Sequence, residues 1–221
     1  MKSLFCALSL LAVTSVPVAT HAAEPALLWD GLNADLFGDD DGPFTIGFQF
    51  RPQTDIRVTA LGAFDHLGDG FIDSHSIGIW AVGNESPLIT ATIPAGAGTS
   101  LVGAFRYVDI AGLTLTANTD YVVAASGLYG SIRDLYAGSV SILDYSASPG
   151  IRFEGSRGAA EGPGLNYPTG FREPLSPTTF GANFQFTTIP EPSTWILLVL
   201  GGGLLAKACL RSRPQDPKSG R

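Results

Sequence analysis

The chain has 221 residues, a formal net charge of −7 and two cysteines, Cys6 within the N-terminal apolar run and Cys209 just after the C-terminal one. No cysteine lies between those runs, so a disulfide framework is excluded for the region they enclose. Charge is unevenly placed: residues 24–188 carry no lysine, and seven arginines against eighteen Asp and Glu give −11. That balance excludes nucleic acid as a partner, because phosphates need Lys and Arg, and it suits solubility outside a cell.

Lys2 followed by the apolar stretch Leu4 to Val18 has the form of a secretory signal. The stretch has the length of an h-region and is too short for a stable span. Cleavage is expected after Ala22, with Thr20 three residues before the cut, so 1–22 is the signal peptide. Cys6 has no Leu-Ala-Gly-Cys context, which argues against a lipoprotein.

Residues 23–188 are long enough for one domain with a sizeable core. Residues 24–42 lead into it through the acidic turn Asp39-Asp40-Asp41, flanked by Gly38 and Gly42. Three adjacent carboxylates share one ion only across a tight turn, and a solvated loop is the simpler reading. Phe44 to Phe50 and Ile56 to Phe64 then alternate apolar with small or polar residues, the period of a half-buried strand. Ser76–Val82, Leu88–Ile93, Phe105–Ile110, Leu113–Leu115, Tyr121–Ala125 and Phe180–Thr187 continue the series. Turn signals recur about every ten residues and no amphipathic helix stands out. The expected fold is therefore all-β, an antiparallel sandwich or jelly roll. The first and last strands share a pattern, Gly-Phe-Gln-Phe and Asn-Phe-Gln-Phe, which suggests that they pair in one sheet. Residues 146–179, rich in Gly, Pro, Ser and Arg, read as a long surface loop with one short strand near Ile151–Phe153.

After the domain comes Ile189-Pro190-Glu191-Pro192-Ser193-Thr194, then an apolar run from Trp195 to Ala206. Lysine near a helix end can snorkel, so Lys207 still permits a transmembrane segment over about 195–210. Trp195 stands where an interfacial anchor belongs. Lys207, Arg211, Arg213, Lys218 and Arg221 against Asp216 leave the tail, with residues 214–221 at its end, in the cytoplasm. A plain single-span anchor or a buried helix is the simpler alternative. Pro190 and Pro192 forbid regular helix or sheet pairing, leaving an extended strip that a protease can bind.

This arrangement over 189–213 resembles the PEP-CTERM sorting signal. The resemblance implies a substrate of an exosortase-type membrane protease, with Pro190, Glu191 and Pro192 as recognition residues. It also implies export through the inner membrane, transient anchoring, and release to the cell surface or extracellular matrix. A structural or adhesive role in exopolysaccharide or biofilm is implied with it.

A second resemblance rests on Val58 to Asp65, Gly68-Asp69-Gly70, Ser74 to Trp80, Phe105-Arg106-Tyr107-Val108 and Leu113 to Val123. These look like the DUF4082-type domain, a sandwich module of secreted bacterial proteins, over roughly 44–126. Ala81 departs from the acidic residue that usually follows the tryptophan. The resemblance implies a fold and an extracellular setting but no catalytic residues.

Asp65, Asp69 and Asp73, with His75, fall in one loop between two strands. Such spacing can present oxygen ligands to Ca²⁺, the candidate ion, although it is not an EF-hand. Aspartates that only initiate turns are the alternative, and His75 reads as a strand-entry residue making structural hydrogen bonds. Trp29, Trp80, Tyr107, Tyr129, Tyr136 and Tyr145 are candidates for a sugar-stacking platform, with Trp80 better placed as core. No nucleophile elbow, zinc-protease helix, P-loop or dinucleotide fingerprint is present, so the expectation is a non-enzyme. A Ca²⁺-stabilised carbohydrate-binding module is the first alternative and a secreted hydrolase the second.

Overall fold

The structure is a computed structural model, and it describes residues 22–32, 42–129, 134–141, 143–159, 162, 164–173 and 178–190. In chain order the strands are β1 (Glu24–Pro25), β2 (Leu27–Leu28), β3 (Phe44–Pro52), β4 (Ile56–Phe64), β5 (His75–Ala81), β6 (Ile89–Ile93), β7 (Ser100–Val102) and β8 (Phe105–Leu115). They continue with β9 (Tyr121–Leu128), β10 (Ala137–Val140), β11 (Ser146–Ala147), β12 (Ile151–Ala159), β13 (Gly170–Arg172), β14 (Thr178–Phe180) and β15 (Ala182–Thr188). A single 3-10 turn, His66–Gly68, is the one helical element among the described residues. The domain is all-β.

Two sheets carry the fold, ordered β1-β15-β4-β8-β7 and β13-β12-β3-β9-β5-β6. Four antiparallel pairs nest inside one another: β1 with β15, β3 with β9, β4 with β8, and β5 with β6. That nesting is the connectivity of a jelly roll, with β12 and β13 added beside β3. Two small ribbons, β2 with β11 and β10 with β14, flank the sheets.

The core follows from side-chain alternation. Phe48 and Phe50 of β3, Ile77 and Ile79 of β5, and Val123 and Ala125 of β9 are buried from one sheet. Val58, Leu61 and Phe64 of β4, Phe105 and Tyr107 of β8, and Phe184 and Phe186 of β15 are buried from the other. The sheets meet at Phe184, whose ring lies 4.5 Å from Phe50 and 6.3 Å from Phe48. Each such side chain contributes about 1.5–3 kcal/mol by leaving water.

Three sequence expectations change. The two similar strands do not pair: β3 and β15 lie in different sheets and face each other through their phenylalanines. The N-terminal partner of β15 is β1, only two residues long, too short for periodicity to reveal. Phe105–Ile110 and Leu113–Leu115 are one eleven-residue strand, with its irregularity opposite Val58 and Ala60.

Residues 146–179 are not one loop. They hold the nine-residue β12, which pairs along β3 from Ile151 opposite Pro52 to Ala159 opposite Thr45. A bulge between Phe153 and Gly155 shifts the pleat, so the apolar alternation stops after Phe153 although the strand continues. Gly155 has φ +148°, and a Cβ there would strike the Arg172 carbonyl and the Phe171 ring. Only glycine suits that position.

Trp80 is 1% exposed but lies on the face of β5 away from the shared core. Leu165 and Tyr167 cover it, with the Tyr167 ring 6.1 Å away, and its Nε1 donates to the Glu85 carbonyl. The segment is held there by hydrogen bonds at Thr45, whose hydroxyl accepts from the Asn166 amide. This strap explains why both faces of β5 are apolar.

Candidate functional site

The loop from Asp65 to Ser74 joins β4 to β5 and sits at one end of the sandwich. Asp65 continues directly from β4 and is buried. Its carboxylate accepts from Arg106 Nε at 2.5 Å and from the Gly70 amide at 3.1 Å. Arg106, buried on β8, also donates to the carbonyls of Ala97, Thr99 and Gly68 at 2.8–3.0 Å. One guanidinium thereby ties two loop segments to the end of the sheet. A planar five-donor fork can satisfy that many acceptors at once.

His75 opens β5 and is fully buried. Its Nδ1 lies 2.9 Å from the Ser126 carbonyl, an acceptor only, so Nδ1 carries a proton. Its Nε2 lies 2.9 Å from Asp134 Oδ2. The Asp134 carboxylate also accepts from the amides of Ile72 and Asp73 at 2.8 and 2.9 Å. Burial acts to raise the Asp134 pKa, but the His75 ring and these two amides together hold it below the ordinary 3.8. Phe71 closes the group, its ring 4.5 Å from the imidazole.

The structure therefore separates the three aspartates of the candidate Ca²⁺ loop. Asp65 is turned inward onto Arg106, Asp69 is exposed, and Asp73 is exposed with its amide on Asp134. Among the described residues no group of three or more His, Cys, Asp or Glu is placed to hold one metal ion. Asp39, Asp40 and Asp41 lie outside the described residues. A cleft of about 180 Å³ separates the two networks, lined in part by Asp65, His66, Asp69 and Asp134. Asp65 and Asp134 both spend their oxygens on internal donors, so this cleft offers no pair of open carboxylates. Arg106 and Asp134 were not singled out from sequence, since each meets its partner across 41 and 59 residues with no local motif.

The aromatic candidates divide. Trp29 and Tyr107 are buried, and Trp29 stacks 5.3 Å from Phe64. Tyr145 packs edge-on against Phe180 and Phe153. Tyr107 is desolvated, which raises its pKa well above the ordinary 10.0, and its hydroxyl finds no partner among the described residues. These rings build the core. Tyr136 and Tyr129 are half-buried. Tyr136 meets Phe44 edge-on at 6.0 Å beside a larger cleft of about 430 Å³, formed where β12 and β13 approach β14.

At the opposite end, β15 leaves the sheet at Thr188, which pairs with Ile56. The Ile189 amide still donates to the Asp55 carbonyl at 2.9 Å, and Pro190 is exposed. The described residues thus reach the first proline of the sorting residues. Glu191, Pro192, Trp195, Lys207, Arg211 and Arg213 lie outside the described residues, as do the signal peptide and the expected span. Among the described residues no helix is long and apolar enough to cross a membrane.

Comparison with curated proteins found no match. Comparison with protein families matched residues 188–213 to the PEP-CTERM protein-sorting motif. The matched segment starts at the last residue of β15 and contains Pro190, Glu191 and Pro192. The chain thus carries a PEP-CTERM protein-sorting motif, into which its all-β domain runs directly.

Proposed function

We propose that this chain is exported, held briefly in the inner membrane by residues 195–210, cut by an exosortase-type protease, and delivered to the cell surface or matrix. There it serves as a structural or adhesive component among extracellular polysaccharide, without catalysis of its own. The observation that carries this reading is the match over 188–213, joined to a β domain that ends at the motif. Pro190, Glu191 and Pro192 are the recognition strip, and Lys207, Arg211 and Arg213 hold the tail inside. The resemblance of residues 44–126 to DUF4082-type modules agrees with an extracellular setting.

The test is fractionation of a strain carrying Glu191→Ala with Pro192→Ala. The variant is expected to stay in the membrane fraction with its basic tail, while the wild type reaches the surface. Release of the double variant at the wild-type rate would overturn the reading.

A second reading, a carbohydrate-binding module, is favoured by the cleft beside Phe44 and Tyr136. Retention of the wild-type chain on immobilised glycan supports it, and passage through every glycan column counts against it. Ca²⁺ enters this reading only as a stabilising ion, which a melt with EDTA and then Ca²⁺ would detect.

A further inference from the structure

The 430 Å³ cleft falls within the size range of small-molecule sites. Its wall is set by strand register. Arg172 of β13 stands opposite Ser156 of β12, and Phe171 stands opposite Arg157. Opposite residues share a face of the sheet, so Arg172 and Ser156 point to one side and Arg157 and Phe171 to the other. Ser156 in turn stands opposite Phe48, a core residue, which puts Arg172 on the core-facing side of the sheet; Arg157 and Phe171, from the other side, also border the cleft.

The two arginines differ in what they already hold. Arg157 is engaged, donating to Gln49 Oε1 and the Thr169 carbonyl, with its guanidinium 4.8 Å above the Phe171 ring. Arg51 pairs with Asp120, Arg106 with Asp65, and Arg152 with Glu154. Arg172 is exposed, and among the described residues its side chain has no hydrogen bond or ion pair. The Ser156 and Thr179 hydroxyls in the same lining also have no hydrogen-bond partner among the described residues. Phe44 and Ile46 add apolar surface.

We infer that this cleft binds a carboxylate-bearing sugar, a uronate unit of an acidic polysaccharide. The guanidinium of Arg172 takes the carboxylate in a two-point contact, which its planar fork suits. Ser156 and Thr179 meet ring hydroxyls, and Phe44 with Ile46 meets the apolar side of the sugar ring. Charge complementarity supplies the selectivity. In a region of net −11, a polyanion is repelled broadly and is held where a guanidinium's donors are not already taken by internal acceptors. A neutral sugar gains no charge-assisted contact from Arg172. The inference rests on the extracellular, polysaccharide-associated reading and names its site.

The test uses the full-length chain in detergent, titrated calorimetrically at low salt with trigalacturonate, with maltotriose as the neutral control. Trigalacturonate is expected to bind and maltotriose to bind far more weakly. Arg172→Gln should weaken trigalacturonate about tenfold, the loss of one charge-assisted contact. That variant has no internal partner to lose, so its melting temperature should stay at the wild-type value. Arg57→Gln, the same charge change at an exposed site on β4, should leave the affinity unchanged. Equal affinity in wild type and Arg172→Gln would overturn the assignment, as would no heat with trigalacturonate. Binding of inorganic phosphate or an acidic peptide without trigalacturonate would overturn it too. Surface delivery is read separately by fractionation, so a chain that reaches the surface but ignores trigalacturonate leaves the export reading standing.

Discussion

At the residue scale, the 65–75 loop is best understood as a buried electrostatic staple. Asp65 and Arg106 are almost wholly desolvated, so their attraction must offset a large desolvation cost, and removing either one leaves an unpaired buried charge. Arg106→Met is expected to cost about 3–5 kcal/mol, a fall in Tm of roughly 6–20 °C for a domain of this size. A thermal melt checks this; a Tm within a degree or two of wild type would show the pair to be dispensable. Asp134 gives a pH prediction. Its pKa is depressed in the folded state, so the unfolded chain takes up a proton first as pH falls. The stabilisation is whole above the ordinary carboxylate pKa and is lost below about 3.8 as pH drops towards the folded value. Asp120, held low by its hydrogen bond with Arg51, acts in the same direction. Asp134→Asn should therefore lower stability at neutral pH and flatten the acid limb of the Tm profile. An acid limb of unchanged slope would contradict the assignment.

At the element scale, the sequence shows its strands where side chains alternate and hides them where they do not. Phe44 to Phe50 is legible because every second residue enters the core, and Ile56 to Phe64 because Ile56 and Val58 open it with the same period. In β12 the bulge at Gly155 leaves Ser156 and Gly158, not apolar residues, on the core side, so the strand reads as loop. Strand partners are less legible still. The shared Phe-Gln-Phe pattern of β3 and β15 reflects two central strands facing one core, and period-two patterning cannot tell facing from pairing. The staple is equally hidden, because Asp65 and His75 are visible as a loop but Arg106 and Asp134 come from distant segments. Two variants test this layer. Phe184→Ala, at the meeting point of the sheets, should cost about 3–5 kcal/mol. Gly155→Ala should cost about 1–3 kcal/mol through backbone strain and loosen β13, seen as faster amide exchange at residues 170–172. If Gly155→Ala exchanges there as slowly as wild type, the bulge does not hold the edge strand.

At the scale of the whole molecule, the jelly-roll connectivity sets a polarity. β15 enters the sheet at Ala182 opposite Ala63, beside the staple loop, and leaves at Thr188 opposite Ile56, beside the sorting motif. The 65–75 loop and the Ala159 end of β12, next to the larger cleft, therefore lie at the end away from the motif. The hydrogen bond of Ile189 to Asp55 leaves almost no linker between fold and motif, so on the proposed reading an exosortase-type protease would have to work close against the domain. The most direct test of this account is the intact mass of the protein recovered from the cell surface. The account predicts a chain that starts at Ala23 and ends within residues 188–213, without the basic tail. A surface-recovered chain that still ends at Arg221 would contradict it.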